Sequence, residues 1–171
     1  NQHQPNVIIN AAAFTKVDLC EVEIEKAYLV NAIGPFNIAF EAKKMNCRFF
    51  HISTDYVFNG EKNIPYEVDD FTSPNTMYGK SKKIGEELVL AINDESTIIR
   101  TSWLYGHKGD NFVNTIVKLS KKLDELRVVD DQIGCPTYTK DLVLTLQALL
   151  NEKPGIYHVT NLGNCSWYEF A

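Results

Sequence analysis

The sequence predicts an α/β fold built on a mainly parallel sheet. Three observations lead there: short continuous apolar runs recur along the 171 residues, helical-period segments separate them, and no internal repeat or low-complexity linker breaks the alternation. Val7-Ile8-Ile9, bounded by Pro5-Asn6 and Asn10, reads as a strand covered on both faces. A helical stretch follows over 23–44, with Ala27, Val30, Ile38 and Ala39 marking its buried side. Gly34-Pro35 must kink or restart that helix, because proline lacks the backbone donor and clashes with the preceding turn. Arg48-Phe49-Phe50-His51-Ile52 is the next strand. A long polar loop over 59–75 leads into a helix over 76–92, where Ile84, Leu88 and Ile92 fall on one side and face the sheet. Strands over 97–101, 126–129 and 156–159 and helices over 111–122 and 140–150 complete the pattern.

Both ends look cut. Ser166-Trp167-Tyr168-Glu169 has the form of a capping box, which opens a helix, yet only two residues follow it. At the other end the chain enters a buried-type strand almost at once. A parallel sheet that holds a dinucleotide needs a glycine-rich phosphate loop, and neither G-x-G-x-x-G nor G-x-x-G-x-x-G occurs. A small three-layer domain that never had such a loop is the alternative.

Composition narrows the function. A net charge of −5 argues against binding a nucleic acid polymer, which needs a basic footprint, but leaves a nucleotide ligand open. No apolar run reaches the roughly 18 residues of a membrane span, and no signal-peptide pattern opens the chain. Cys20, Cys47, Cys135 and Cys165 are unevenly spaced without a C-x-x-C pair, which suits buried or incidental thiols in a reducing cytoplasm. His51, His107 and His158 are not spaced as a metal set, so no metal is expected.

The densest chemical signal is Tyr78-Gly79-Lys80-Ser81-Lys82, placed after the strand and turn Ile52-Ser53-Thr54-Asp55-Tyr56-Val57-Phe58. Tyr78 and Lys82 are one helical turn apart on one face, and Thr54 sits just past the carboxyl end of a strand, where open α/β sheets bind ligands. A nearby ammonium favours phenolate, so Lys82 is expected to draw the Tyr78 pKa down from about 10. The trio can protonate a carbonyl oxygen while hydride is delivered to its carbon. On its own, Tyr-x-x-x-Lys also suits a helix with Tyr at a core edge and Lys in solvent.

Other residues carry weaker signals. The small residues Ala11, Ala12 and Ala13, followed by Phe14 and Thr15, let a ligand approach the backbone, or else serve tight helix–sheet packing. Asn31 is placed to anchor backbone or ribose, or else to cap its helix or face solvent. Trp103 stands after a strand and can stack on a flat ligand or simply fill a core. The turn over 130–137 reaches a sugar or base, or caps a helix.

Taken together, these runs resemble the extended short-chain dehydrogenase/reductases. Val7 to Asp18, His51 to Phe58, Tyr78 to Lys82, Arg100 to Gly106, Asp130 to Thr137 and Cys165 to Ala171 follow that family's order over nearly the whole chain. Arg100-Thr101-Ser102-Trp103 and Asp131-Gln132-Ile133-Gly134-Cys135-Pro136-Thr137 are similar to the branch that reduces dTDP-4-dehydro-L-rhamnose. The resemblance implies a Rossmann-like sheet lacking its first strands, with a partial NAD(P)-binding domain over 1–102. It implies further sheet elements over 103–171, interleaved with part of a sugar-nucleotide domain. It also implies an enzyme that reduces the C4 keto group of dTDP-4-dehydro-L-rhamnose with NADPH or NADH, as a cytoplasmic homodimer with no membrane or nucleic acid partner. On that resemblance Tyr78 is the proton donor, and Lys82 is its partner and a ribose ligand. Thr54 is aimed at the C4 oxygen, and Asp55 and Trp103 contact the sugar nucleotide. Ala12, Ala13, Phe14, Thr15, Asn31 and Ile52 line the cofactor with Tyr78 and Lys82. Another extended family member, an epimerase or dehydratase, and a non-catalytic regulatory subunit of the same fold are the alternatives.

Overall fold

The computed structural model describes residues 3–171. The chain divides into two compact units, residues 1–100 with 153–158 and residues 101–152 with 159–171.

The first unit carries a four-stranded sheet. Its strands are β1 (Val7–Asn10), β2 (Arg48–Thr54), β3 (Thr97–Thr101) and β7 (Gly155–His158), in the order β1-β2-β3-β7. β1 runs parallel to β2, and β3 runs parallel to β7. All five residues of β3 are buried, as a strand inside a parallel sheet covered on both faces requires. The expectation that β1 is covered on both faces fails. It is an edge strand of this sheet, and Ile9 is 48% exposed. β2 also runs two residues further than its apolar run suggested, so Thr54 is its last residue rather than one beyond it.

Helices α1 (Val17–Val22), α2 (Ile24–Tyr28), α3 (Gly34–Lys44) and α4 (Met77–Ile92) complete this unit. The kink predicted at Gly34-Pro35 takes the form of a π-turn over Leu29–Ile33, with Pro35 in the first turn of α3. The cause is local. Pro35 has no N–H to offer the Asn31 carbonyl four residues back, so the bonding steps to i+5 and Gly34 N–H donates to Leu29 O. The extra residue turns Val30 outward, to 37% exposure, against its expected place on the buried side. Ala39, Ala42, Cys47, Phe49, Val89 and Ile98 form one apolar core, against which Ile8, Ile38, Ile92 and Ile156 pack. Burying one such large side chain contributes about 1.5–3 kcal/mol.

α4 holds the largest departure from expectation. Its fully buried face is Tyr78, Gly79, Ser81, Lys82, Gly85, Glu86 and Val89, whereas Ile84, Leu88 and Ile92 are only half-buried. A stripe that combines hydroxyl, amine and carboxylate groups is invisible to an apolar period.

The second unit is built from short pieces. These are β4 (Leu104–Tyr105), α5 (Phe112–Ser120), β5 (Ile133–Gly134), β6 (Thr137–Tyr138), α6 (Thr139–Leu149), β8 (Cys165–Ser166) and α7 (Trp167–Phe170). β4 pairs in parallel with β6, and β5 pairs antiparallel with β8. The strand expected over 126–129 is not formed. Tyr168 N–H donates to Val129 O at 3.0 Å, but no ladder develops there, and an extended β-branched run becomes a strand only where a neighbour supplies one. At 166–169 the capping box is complete. The Ser166 hydroxyl accepts from Glu169 N–H, and the Glu169 carboxylate accepts from Ser166 N–H.

Candidate active site

Two backbone features bring Thr54 and Tyr78 together. β2 ends at Thr54, whose hydroxyl accepts from Tyr56 N–H at 3.2 Å and caps a 3-10 turn over Asp55–Val57. α4 opens beside this turn, with the Thr76 hydroxyl accepting from Gly79 N–H at 3.1 Å. A Cβ on Gly79 would collide with the Tyr56 carbonyl oxygen, so only glycine lets the helix start lie against the turn.

Tyr78 is 9% exposed and meets Tyr56 edge to face at 5.5 Å between ring centroids. Burial pushes its phenol up to about 12. The Thr54 hydroxyl pulls the other way, and Asp55, Tyr56 and Cys20 add to the rise. This corrects the expectation that Lys82 draws the phenol down, because the ammonium is aimed elsewhere. Lys82 is buried, and its Nζ donates to Ile52 O at 2.6 Å and lies 3.3 Å from His51 Nε2. Burial lowers the Lys82 amine to about 8, partly offset by the carboxylate of Glu86 one turn on.

Asp55 is half-buried and accepts from the Thr54 hydroxyl at 3.0 Å. Burial raises its carboxyl to about 6, against the lowering effect of Thr54 and of the backbone N–H groups of Asp55 and Tyr56. Asn31 lies in the π-turn, fully buried. Its Oδ1 accepts from Phe14 N–H at 2.7 Å, and its Nδ2 donates to Phe14 O and to Ser81 Oγ, each at 3.0 Å. Of the roles open to it, the one seen is a backbone anchor that ties the segment after β1 to α4. In that segment Ala12 and Thr15 are exposed and Ala13 and Phe14 half-buried. Ile52 contributes its carbonyl to Lys82.

Trp103 belongs to the second unit, at φ +46°. Its indole stacks on Trp167 with centroids 3.5 Å apart and planes 10° apart, and a Cβ on Gly134 would collide with the same ring. The two distinctive sequence runs are bonded to each other here. Ser102 Oγ donates to Cys135 O at 2.7 Å, and Thr137 N–H donates to Trp103 O at 3.2 Å.

Sequence reasoning missed three groups around Lys82. His51 is fully buried between Asn10 and Lys82. Glu86 and Arg100 form a buried ion pair at 2.8 Å, with Ser53 also donating to Glu86. A usable signal existed for two of them: a large polar residue next to apolar neighbours in a buried strand, such as His51 or Arg100, needs a buried partner.

The residues present suit a nicotinamide dinucleotide. Side chains no larger than methyl at Ala12 and Ala13 leave the backbone approachable at the carboxyl end of β1, and the Lys82 amine keeps hydrogens beyond the one given to Ile52.

Strands in this order, with Thr54, Tyr78 and Lys82 gathered at the end of β2, make a Rossmann-like parallel sheet with a candidate site at the carboxyl ends of its strands. The chain belongs to the family described as RmlD substrate binding domain, which matches residues 1–171. It is 57% identical over 169 residues to the spore coat polysaccharide biosynthesis protein SpsK of Bacillus subtilis strain 168, covering 99% of this chain and 60% of that protein. It is 46% identical over 175 residues to the dTDP-4-dehydrorhamnose reductase of Aggregatibacter actinomycetemcomitans, covering 98% of this chain and 60% of that enzyme. The crystal structure of the Bacillus anthracis Ames dTDP-4-dehydrorhamnose reductase in complex with NADP superposes with a TM-score of 0.96 at 44% identity, over 99% of this chain and 61% of that one. The chain thus spans about 60% of the length of these relatives.

Proposed function

We propose that this chain carries the proton-donating site of an NAD(P)H-dependent reductase that converts dTDP-4-dehydro-L-rhamnose to dTDP-L-rhamnose, a precursor of surface polysaccharide. The observation that carries the reading is the placement of Tyr78, a buried phenol beside Thr54 at the end of a parallel strand and one helical turn from Lys82. The phenol is protonated at neutral pH, so the proton that ketone reduction consumes is present at that place. The relatives named as reductases, and the NADP bound to one of them, point to the same cofactor class and substrate.

The reduced nicotinamide, when bound, supplies hydride to C4. Tyr78 Oη then donates its proton to the C4 oxygen as negative charge develops there. Thr54, whose hydroxyl proton faces Asp55, would redirect it to the same oxygen. Lys82, fixed by the Ile52 carbonyl, holds the ribose hydroxyls one turn from Tyr78. Ala12, Ala13, Phe14 and Thr15 lie along the cofactor, with Asn31 anchoring their backbone. In this reading residues 1–102 supply the cofactor half. The remaining residues include part of the sugar-nucleotide region, with Asp55 and Trp103 among the sugar-nucleotide contacts. The enzyme works in the cytoplasm as a homodimer.

The test uses the complete protein and follows NAD(P)H oxidation on addition of the ketosugar. Tyr78→Phe is expected to lower turnover about 10²–10⁴-fold while cofactor binding survives. Unchanged turnover would remove Tyr78 from the chemistry and with it the proposal.

A further inference from the structure

Arg100 of β3 and His158 of β7 stand directly opposite each other in the parallel ladder. Both side chains reach the loop over 59–75, which leaves the 3-10 turn that holds Asp55 and enters α4 just ahead of Tyr78. His158 Nδ1 lies 3.1 Å from Tyr66 O, and Arg100 Nη1 donates to Val68 O at 3.3 Å. The two carbonyls are two residues apart, so adjacent strands hold one short stretch of the loop at two points. The Tyr66 ring adds a third contact, stacking on Phe58 with centroids 4.2 Å apart.

The protonation of His158 follows from its partners. A carbonyl oxygen can only accept, so Nδ1 carries the proton. Arg100 Nη1 stands 3.4 Å from Nε2, and a guanidinium can only donate, so Nε2 is bare. Only the uncharged ring satisfies both. A second proton would go to Nε2, setting N–H against N–H and cation against cation. Arg100 has no room to yield, because the buried Glu86 carboxylate accepts from its Nε at 3.1 Å and from its Nη2 at 2.8 Å. The half-buried imidazolium is then the group that moves, and the Tyr66 contact goes with it. We propose that His158 is a positioning residue: uncharged, it latches the loop between Asp55 and Tyr78 to the sheet, and on gaining a proton it lets that loop go.

The surrounding charges favour the uncharged ring. Burial first, and then Arg100, lower the His158 imidazole below its ordinary 6.5, against the Tyr66 carbonyl, Glu86 of α4 and Glu67 of the loop. Asp70 of the loop is paired with Lys62, which holds its carboxyl below the ordinary range, so it stays ionised wherever His158 titrates. A latched ring with a lowered pKa takes up a proton less readily than a free one. The latch is therefore at full strength above about pH 6.5 and weakens by up to about tenfold per pH unit below it, until the latched ring is itself protonated.

The latch stands on contacts within the chain, and only its bearing on Tyr78 rests on the reductase reading. The experiment uses neither substrate nor cofactor, so the two can fail separately. In the complete protein near neutral pH, nitrogen NMR of the His158 ring should show Nδ1 protonated and Nε2 bare. Amide exchange, corrected for its intrinsic pH dependence, follows Lys62, Glu67 and Asp70, whose N–H groups are bonded inside the loop, and Gly79 at the start of α4. Protection at all four should be level above about pH 6.5 and fall about tenfold by about pH 5. Asp55, raised to about 6, titrates in the same window. His158→Asn separates the two, since its amide keeps an N–H for Tyr66 O and takes no proton, and the acid loss of protection should vanish. A ring protonated on Nε2, protection that ignores acid, or a loss that persists in His158→Asn overturns the proposal. A loss confined to the loop, with Gly79 unmoved, overturns the positioning role. Should the variant fail to fold, the loss must track the ring titration read from the same nitrogen signals, and a loss that does not track it overturns the latch.

Discussion

The first unit joins buried polar groups into a network around Lys82, whereas the second stacks rings. Around Lys82 the buried side chains are an amide, an imidazole, a carboxylate, a guanidinium and hydroxyls, joined by hydrogen bonds of fixed direction. Around Trp103 they are half-buried rings, Trp167, Phe112, Phe170, Tyr105 and Tyr138, held by ring contacts and two-residue ladders. Hydrogen bonds fix direction as well as distance, so the first arrangement suits a site that must aim a proton. Stacked aromatics bury large area with little directional demand, so the second suits a surface that adapts to what it meets.

Three substitutions would break or sharpen this contrast. Glu86→Ala strands the buried Arg100 guanidinium, and a loss of about 3–5 kcal/mol is expected. The readout is the denaturation midpoint together with amide exchange in β2 and β3. A change under 1 kcal/mol would mean that Arg100 is solvated, and the polar half of the contrast would fall. Gly134→Ala drives a methyl into the Trp103 ring and should cost about 1–3 kcal/mol. The chain has two tryptophans, and both lie in the second unit, so their emission reports on that unit alone. Emission should shift while exchange in β2 stays unchanged, and a matching change in both would mean the units do not behave separately. Ser166→Ala removes half of the capping box, with an expected loss of about 1 kcal/mol visible in the same emission signal.

What could be read from the sequence was whatever is local. Apolar pairs, Phe49-Phe50 and Ile98-Ile99, marked β2 and β3, Thr76 marked the start of α4, and Pro35 marked the break in the long helix, because each acts through its own neighbours. The spacing of Tyr78 and Lys82 was legible for the same reason. What Lys82 bonds to was not, since Ile52 and His51 lie about thirty positions away and reach it only through the sheet. The short ladders of the second unit left no period to detect. The run at 126–129 had strand composition but no ladder partner.

The π-turn over Leu29–Ile33 bears on length rather than on composition. Deleting one residue there would turn everything upstream by about 100° relative to α3. That rotation would carry Ala27 off the core and pull Asn31 from Phe14 and Ser81. This stretch should therefore accept many exchanges of one residue for another, and neither loss nor gain of a single residue.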